Sequence, residues 1–195
     1  KEFEVISKII QNNKRVLDIG CGDGTLMEYL KKNQRNDVRG LEPQKNLVQK
    51  CISKGLSVIE GDAEKDLLQF PEKSFDYVVL SQTLQAFLKP EEVLNQLLRI
   101  GKQTIVSIPN FGHWKVRIHL LFKGTMPITK NLPNEWYNTP NLHMCTIKDF
   151  VNFCNKKKIK IDKSMCLTNE KISEITNKNM NYKNIFSQLG IFLIE

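Results

Sequence analysis

The sequence predicts an α/β domain built on a mostly parallel sheet. Two observations carry that prediction. Short runs of β-branched and aliphatic residues alternate with segments of helical period. One of those runs, Val16-Leu17-Asp18-Ile19, leads directly into a glycine loop, Gly20-Cys21-Gly22-Asp23-Gly24, with a helix expected from Thr25. The 195 residues fit one domain, 1–195, and are too few for two domains with separate cores.

Seven strands are expected, with helices on both faces of the sheet: 15–19, 37–42, 57–60, 75–81, 103–109, 159–167 and 185–194. Between them, Lys54-Gly55 closes a helix over Leu47–Cys51. Pro90 stands where a first-turn proline belongs, and Val93, Leu94, Leu97 and Leu98 share one apolar face. Gly101 follows as a left-handed cap. Thr146 and Asp149 form a capping-box variant ahead of Phe150, Val151 and Phe153, which opens another helix. The alternation breaks at 124–145, where Pro127, Pro133 and Pro140 punctuate about twenty residues carrying Trp136 and Tyr137. A connection that long reads as a packed, lid-like insert. The Lys- and Asn-rich stretch 169–184 reads as a peripheral insert.

Composition bounds the function. The net charge is +8, yet the chain holds 24 Lys against 5 Arg, with 18 Asn and 2 Ala. This bias is spread evenly, unlike the clustered, Arg-rich face that reads phosphates, so no nucleic-acid partner is expected. No apolar run approaches the ~18 residues of a membrane span, and residues 1–12 lack the apolar block of a signal peptide. The first residue is Lys1, so upstream residues are expected. Five cysteines without a C-x-x-C pair suit a reducing, cytoplasmic setting.

The glycine loop has the spacing Gly-x-Gly-x-Gly, with Asp18 two residues before the first glycine. The dinucleotide fingerprint needs a glycine at 25, where Thr stands, and no Gly-Lys-Ser/Thr follows to make a P-loop. Two further acids stand in order. Glu42 closes the second strand, where a carboxylate can accept from both hydroxyls of a ribose. Asp62 follows the third strand in Glu60-Gly61-Asp62-Ala63, where an acid can accept from an adenine amino group.

Together these residues resemble the class I S-adenosylmethionine-dependent methyltransferases, with their Rossmann-like seven-stranded sheet. The resemblance spans nearly the whole chain. It implies that Asp18, Gly20, Cys21, Gly22 and Gly24 hold the methionyl part of S-adenosylmethionine or S-adenosylhomocysteine. Glu42 and Pro43 then flank the ribose, Asp62 and Ala63 the adenine edge, and Ser81 and Gln82 the sulfonium side.

A narrower resemblance lies in Phe75-Asp76-Tyr77-Val78-Val79-Leu80-Ser81-Gln82-Thr83-Leu84-Gln85-Ala86, Ser107-Ile108-Pro109-Asn110-Phe111-Gly112-His113-Trp114, Met126-Pro127-Ile128-Thr129-Lys130 and Glu135-Trp136-Tyr137-Asn138-Thr139-Pro140-Asn141-Leu142-His143. These strings are similar to the MetW family of methionine biosynthesis. That resemblance implies work beside the homoserine O-acyltransferase MetX. Two readings stay open: an accessory subunit whose cofactor site senses the pathway product, and an active methyltransferase on a small molecule.

The remaining candidates are weaker. Gln85 and Asn110 can orient a substrate or simply bond backbone at strand ends. His113 is a conceivable general base, though methyl transfer demands chiefly an aligned nucleophile. His143, Cys145 and Cys154 lack a fourth ligand at recognisable spacing, so no metal is expected. In Trp114–Lys123 the stripe Trp114, Ile118, Leu121 and Phe122 reads first as core packing. A partner groove made with Trp136 and Tyr137 is the second choice.

Overall fold

The computed structural model describes residues 1–129 and 132–195; Lys130 of the Met126–Lys130 string, and Asn131, lie outside the described residues. Among the described residues one sheet holds eight strands: β1 (Arg15–Ile19), β2 (Asp37–Glu42), β3 (Ser57–Glu60), β4 (Phe75–Ser81), β5 (Gly101–Pro109), β6 (Ile161–Thr168), β7 (Lys171–Glu174) and β8 (Leu189–Ile194). Their order is β3-β2-β1-β4-β5-β8-β6-β7. The pairs among β1 to β5 are parallel. β8 lies antiparallel between β5 and β6, and β7 pairs antiparallel with β6.

The helices are α1 (Glu2–Ile9), α2 (Thr25–Gln34), α3 (Lys45–Ser53), α4 (Ala63–Asp66), α5 (Pro90–Ile100), α6 (Trp114–Lys123), α7 (Ile147–Lys157) and α8 (Met180–Phe186). Strand side chains alternate between two apolar layers. Val16, Val79, Ile105 and Ile191 meet Val5, Ile6, Met27 and Leu30 of α1 and α2. Leu17, Leu80, Val106 and Phe192 meet Leu94 and Leu97 of α5 and Phe150 of α7. A strand covered on both faces is apolar throughout, as β8 is, and β4 is apolar over Tyr77–Leu80.

Several expectations change. Gly101 is not a left-handed cap; its φ is −91° and it opens β5. A Cβ there would stand 2.8 Å from Val78, so close approach to β4 selects the glycine. The sheet has eight strands, because the stretch read as a peripheral insert contains β7 and α8, and residues 185–186 belong to that helix. A two-residue turn makes the extra hairpin: Asn169 and Glu170 both take positive φ, 47° and 68°, as a primed turn requires. Glutamate there hid the turn, which Asn-Gly would have announced. The predicted box at α7 forms, with Thr146 and Asp149 each bonding the other's backbone N–H.

The stripe on α6 is not core. Only Val116 of that helix is buried, while Leu121 and Phe122 are 76% and 79% exposed. Trp136 and Tyr137 do not pack the lid down either; they stack edge to face on each other and remain exposed.

Phe192, fully buried on β8, lies 4.6 Å centroid to centroid from Phe150 of α7. Truncating it opens a cavity at the centre of that layer, at a cost of about 3–5 kcal/mol. Phe192→Ala should therefore lower the thermal midpoint by about 10 °C, at 2–4 °C per kcal/mol for a chain of this size. Calorimetric melting checks this; a midpoint within 2 °C of the parent contradicts the packing.

Candidate functional site

Strand order reverses between β1 and β4, and the crevice outside their carboxyl ends is where open α/β sheets take ligands. The glycine loop leaves β1 here. Register places Ile19 beside Leu41, and the Gly20 and Cys21 N–H groups both donate to the Leu41 carbonyl. One residue on, Glu42 ends β2 with its carboxylate buried. Its Oε2 accepts the Gly22 N–H at 2.9 Å and its Oε1 the Gln44 N–H at 3.1 Å. The loop's floor is anchored by α3, whose Cys51 Sγ donates to the Gly22 carbonyl. Gly24 is pressed so close that a Cβ would sit 2.5 Å from Leu56. Gly22 differs: its φ is +59° and a Cβ would meet nothing within 4 Å. The loop thus presents bare backbone to open space.

Asp18 lies behind this loop, 2% exposed on the face that α1 covers, and it makes no hydrogen bond among the described residues. Burial first, then the charges of Glu2 and Glu42, push its carboxyl up to about 8. Cys21 is also buried and its thiol is held high, chiefly by burial. Pro43 is exposed beyond Glu42. Asp62 caps α4, accepting the Glu64 N–H and pairing with Lys65, which holds its carboxyl low; Ala63 is buried beside it. The structure therefore gathers Asp18, Gly20 to Gly24, Glu42, Ser81 and Gln82 at adjacent strand ends, with Asp62 and Ala63 at the end of the next strand outward.

The residues after β4 are knit together. Ser81 Oγ and Gln82 Nε2 both donate to the carboxylate of Glu2. Gln85 is buried, and its Nε2 donates to the Gln82 carbonyl. Its own carbonyl accepts the N–H groups of Leu142 and His143, tying the lid to this loop.

Asn110 is fully engaged elsewhere. Its amide donates to the Asn184 and Ser187 carbonyls and its Oδ1 accepts from Gly112 and Ile147, so it fastens α7 and α8 to the end of β5. His113 caps α6: its Nδ1 accepts the Lys115 N–H, and its buried Nε2 has no hydrogen-bond partner among the described residues. Burial and the Lys115 charge lower its pKa, so the ring is neutral at pH 7. Trp114 is partly exposed at the first turn of α6. His143, Cys145 and Cys154 form no metal-binding group, and among the described residues no cluster of three such ligands occurs.

Sequence reasoning missed Glu2. Its Oε1 also accepts from Ser107 of β5 at 2.5 Å, so a carboxylate from the first helix spans the ends of β4 and β5. The available signal was on the strands: Ser81 and Ser107 are hydroxyls closing otherwise apolar runs, side by side in register.

The sheet, its switch point and the loop define a protein of the S-adenosylmethionine-dependent methyltransferase fold. Among solved structures it resembles a Thermotoga maritima methyltransferase described as a possible histamine N-methyltransferase. That match has TM-score 0.71 at 19% identity and covers 99% of this chain and 86% of that one. It is similar also to the [4+2]-cyclase SpnF, with TM-score 0.69 and 12% identity over 100% and 80% of the two chains. Likeness at these identities defines the fold and leaves the reaction open. Within that fold the chain belongs to the family described as methionine biosynthesis protein MetW, whose model matches residues 1–194. A curated relative from Rhodopirellula baltica, the bifunctional methionine biosynthesis protein MetXA/MetW, is 34% identical over 175 residues. Those residues are 83% of this chain and only 27% of that protein.

Asp18 should leave a signature in stability. An acid that titrates near 8 when folded and near 3.8 when unfolded favours folding only while protonated, so its contribution fades as pH rises from about 4 to about 8. Asp18→Asn removes that loss. The variant should match the parent at pH 4–5 and exceed it by about 1–3 kcal/mol above pH 8. Denaturant melts at pH 5, 7 and 9 check this; parallel curves for the two proteins contradict it.

Proposed function

We propose that this chain binds S-adenosylmethionine at the carboxyl ends of β1 to β4 and works as the partner of a homoserine O-acyltransferase in cytoplasmic methionine synthesis. On this reading the nucleotide is a regulatory ligand. The observation that carries the partner is the relative in which MetXA and MetW share one polypeptide. This chain spans about a quarter of that protein.

The residues fit the ligand. The Glu42 carboxylate is buried and held from two backbone N–H groups, which leaves lone pairs for two ribose hydroxyls. Asp62, beside the buried Ala63, is placed to accept from the adenine amino group. The open space over Gly22 admits the methionyl portion against bare backbone. Bound there, the ligand supplies a sulfonium-activated methyl group. The protein's contribution is to orient and dehydrate it.

A second reading, methyl transfer to a small molecule, draws on a cavity of about 520 Å³ beside Gln82, lined also by Asn110, His113 and Val116. Against it stands the chemistry of the lining. Asn110 spends its polar atoms on backbone ties, and His113 is buried with its Nδ1 engaged in capping α6, which leaves only its Nε2 without a partner among the described residues.

Glu42→Ala should weaken calorimetric binding of S-adenosylmethionine at least tenfold, since both ribose hydroxyls lose their acceptor. Unchanged affinity would remove the ribose assignment. For the partner, the exposed pair Trp136 and Tyr137, with Trp114, supplies aromatic anchors of the kind that dominate interfaces. Trp136→Ala should abolish co-purification with the acyltransferase while cofactor affinity stays near that of the parent. Incubation with methyl-labelled cofactor, acyltransferase and homoserine should change acylation without moving label. Catalytic label transfer would establish the methyltransferase reading in its place.

A further inference from the structure

A polar layer lies beneath α1. On the sheet face that α1 covers, Val16, Val79 and Ile105 belong to the core. Two residues farther along the same strands stand Asp18, Ser81 and Ser107. Glu2, at the first turn of α1, reaches into this layer. Its carboxylate takes three neutral donors: Ser81 at 2.8 Å, Ser107 at 2.5 Å and the Gln82 amide at 2.5 Å. Gln82 is held for this in a left-handed conformation, φ 50°, by bonds from its N–H to the Ser107 carbonyl and hydroxyl.

Neutral donors hold a carboxylate in place without cancelling its charge. Glu2, Asp18 and Glu42 form no ion pair among the described residues, in a chain of net charge +8. The cations that line the neighbouring cavity are otherwise engaged. Lys1 pairs with Glu4, and Lys115 lies over the Trp114 ring. Asp18 adds a residue 2% exposed, its side chain without a hydrogen bond among the described residues, whose ionisation Glu2 and Glu42 oppose, so a cation entering the cleft would relieve all three acids. With the ribose on Glu42, a ligand extended across the crevice would carry its sulfur toward the end of β4, where Glu2 stands.

We propose that Glu2 makes this cleft selective for a cationic sulfur, so that it prefers S-adenosylmethionine, with its sulfonium, over the uncharged thioether S-adenosylhomocysteine. The inference rests on the ligand reading above and deepens it. The two molecules share every ribose, adenine and amino-acid contact, so only a group that responds to the charge on sulfur separates them. A partly buried carboxylate with no counter-cation does so, because its field is weakly screened. The cleft then reports the supply of methyl donor and is insensitive to the spent product.

Titration calorimetry with each ligand tests this on the parent, Glu2→Gln and Ser107→Ala. The parent should bind S-adenosylmethionine about tenfold more tightly than S-adenosylhomocysteine. Glu2→Gln keeps the size of the side chain and an acceptor oxygen for Ser81 and Ser107, exchanges the bond from the Gln82 amide, and removes the charge, so the ratio should fall at least fivefold, mainly through weaker binding of the sulfonium. Ser107→Ala removes one bond to Glu2 and leaves the charge, so its ratio should stay within twofold of the parent. An unchanged ratio in Glu2→Gln, equal weakening of both ligands, or an equal fall of the ratio in Ser107→Ala overturns the proposal while the ligand reading stands. A parent that binds neither molecule overturns the ligand reading itself.

Discussion

The carboxylate of Glu42 is the joint on which the cleft depends. It is buried at the end of β2 and bonded by backbone N–H groups from the glycine loop on one side and the turn into α3 on the other. Those two bonds set the height of the Gly22 backbone above the sheet. They also aim the carboxylate's remaining lone pairs outward. The parallel register of β1 and β2 delivers this geometry, and the close contacts of Gly24 with Leu56 and Cys51 lock it from beneath. One buried carboxylate thus serves as a structural clasp, and on the proposed ligand reading it serves recognition as well, because a carboxylate offers about four acceptor sites.

The cleft was legible in the sequence because its parts are local. Asp18, the glycine loop and Glu42 follow one another in a strand–loop–helix–strand unit whose spacing states where each will stand. Glu2 was not legible. It meets Ser81 and Ser107 across 79 and 105 residues, and nothing in the first turn of an amphipathic helix announces which strand ends it will reach. The extra hairpin escaped for a different reason: Asn169-Glu170 adopts a backbone conformation that glycine usually advertises. The stripe on α6 had an imperfect period and no readable covering. Periodicity shows that a helix has an apolar side, and tertiary placement alone shows whether the chain itself covers it.

That uncovered side gives the molecule two unlike ends of one device. The lid with Trp136 and Tyr137 is exposed, yet it is tied by Leu142 and His143 to the Gln85 carbonyl, and Gln85 in turn is bonded to Gln82, which holds Glu2. A continuous set of hydrogen bonds therefore runs from Glu2 through Gln82 and Gln85 to Leu142 and His143 of the lid. Coupling between sites requires two discrete arrangements of some element, and the loop after β4, with its left-handed Gln82, is the segment that both ends grip.

The position of β8 governs how the chain can be made. Leu189–Ile194 is buried along its whole length and lies between β5 and β6, so the central sheet is split until those residues arrive. During synthesis β5 and β6 wait with unpaired edges and an exposed core face, while their mutual neighbour is still inside the ribosome. The contacts that close the gap span about 90 residues on the β5 side, which makes closure slow compared with the local β1 to β4 units. The β5–β8 pairing is the longest-range strand pairing among the described residues.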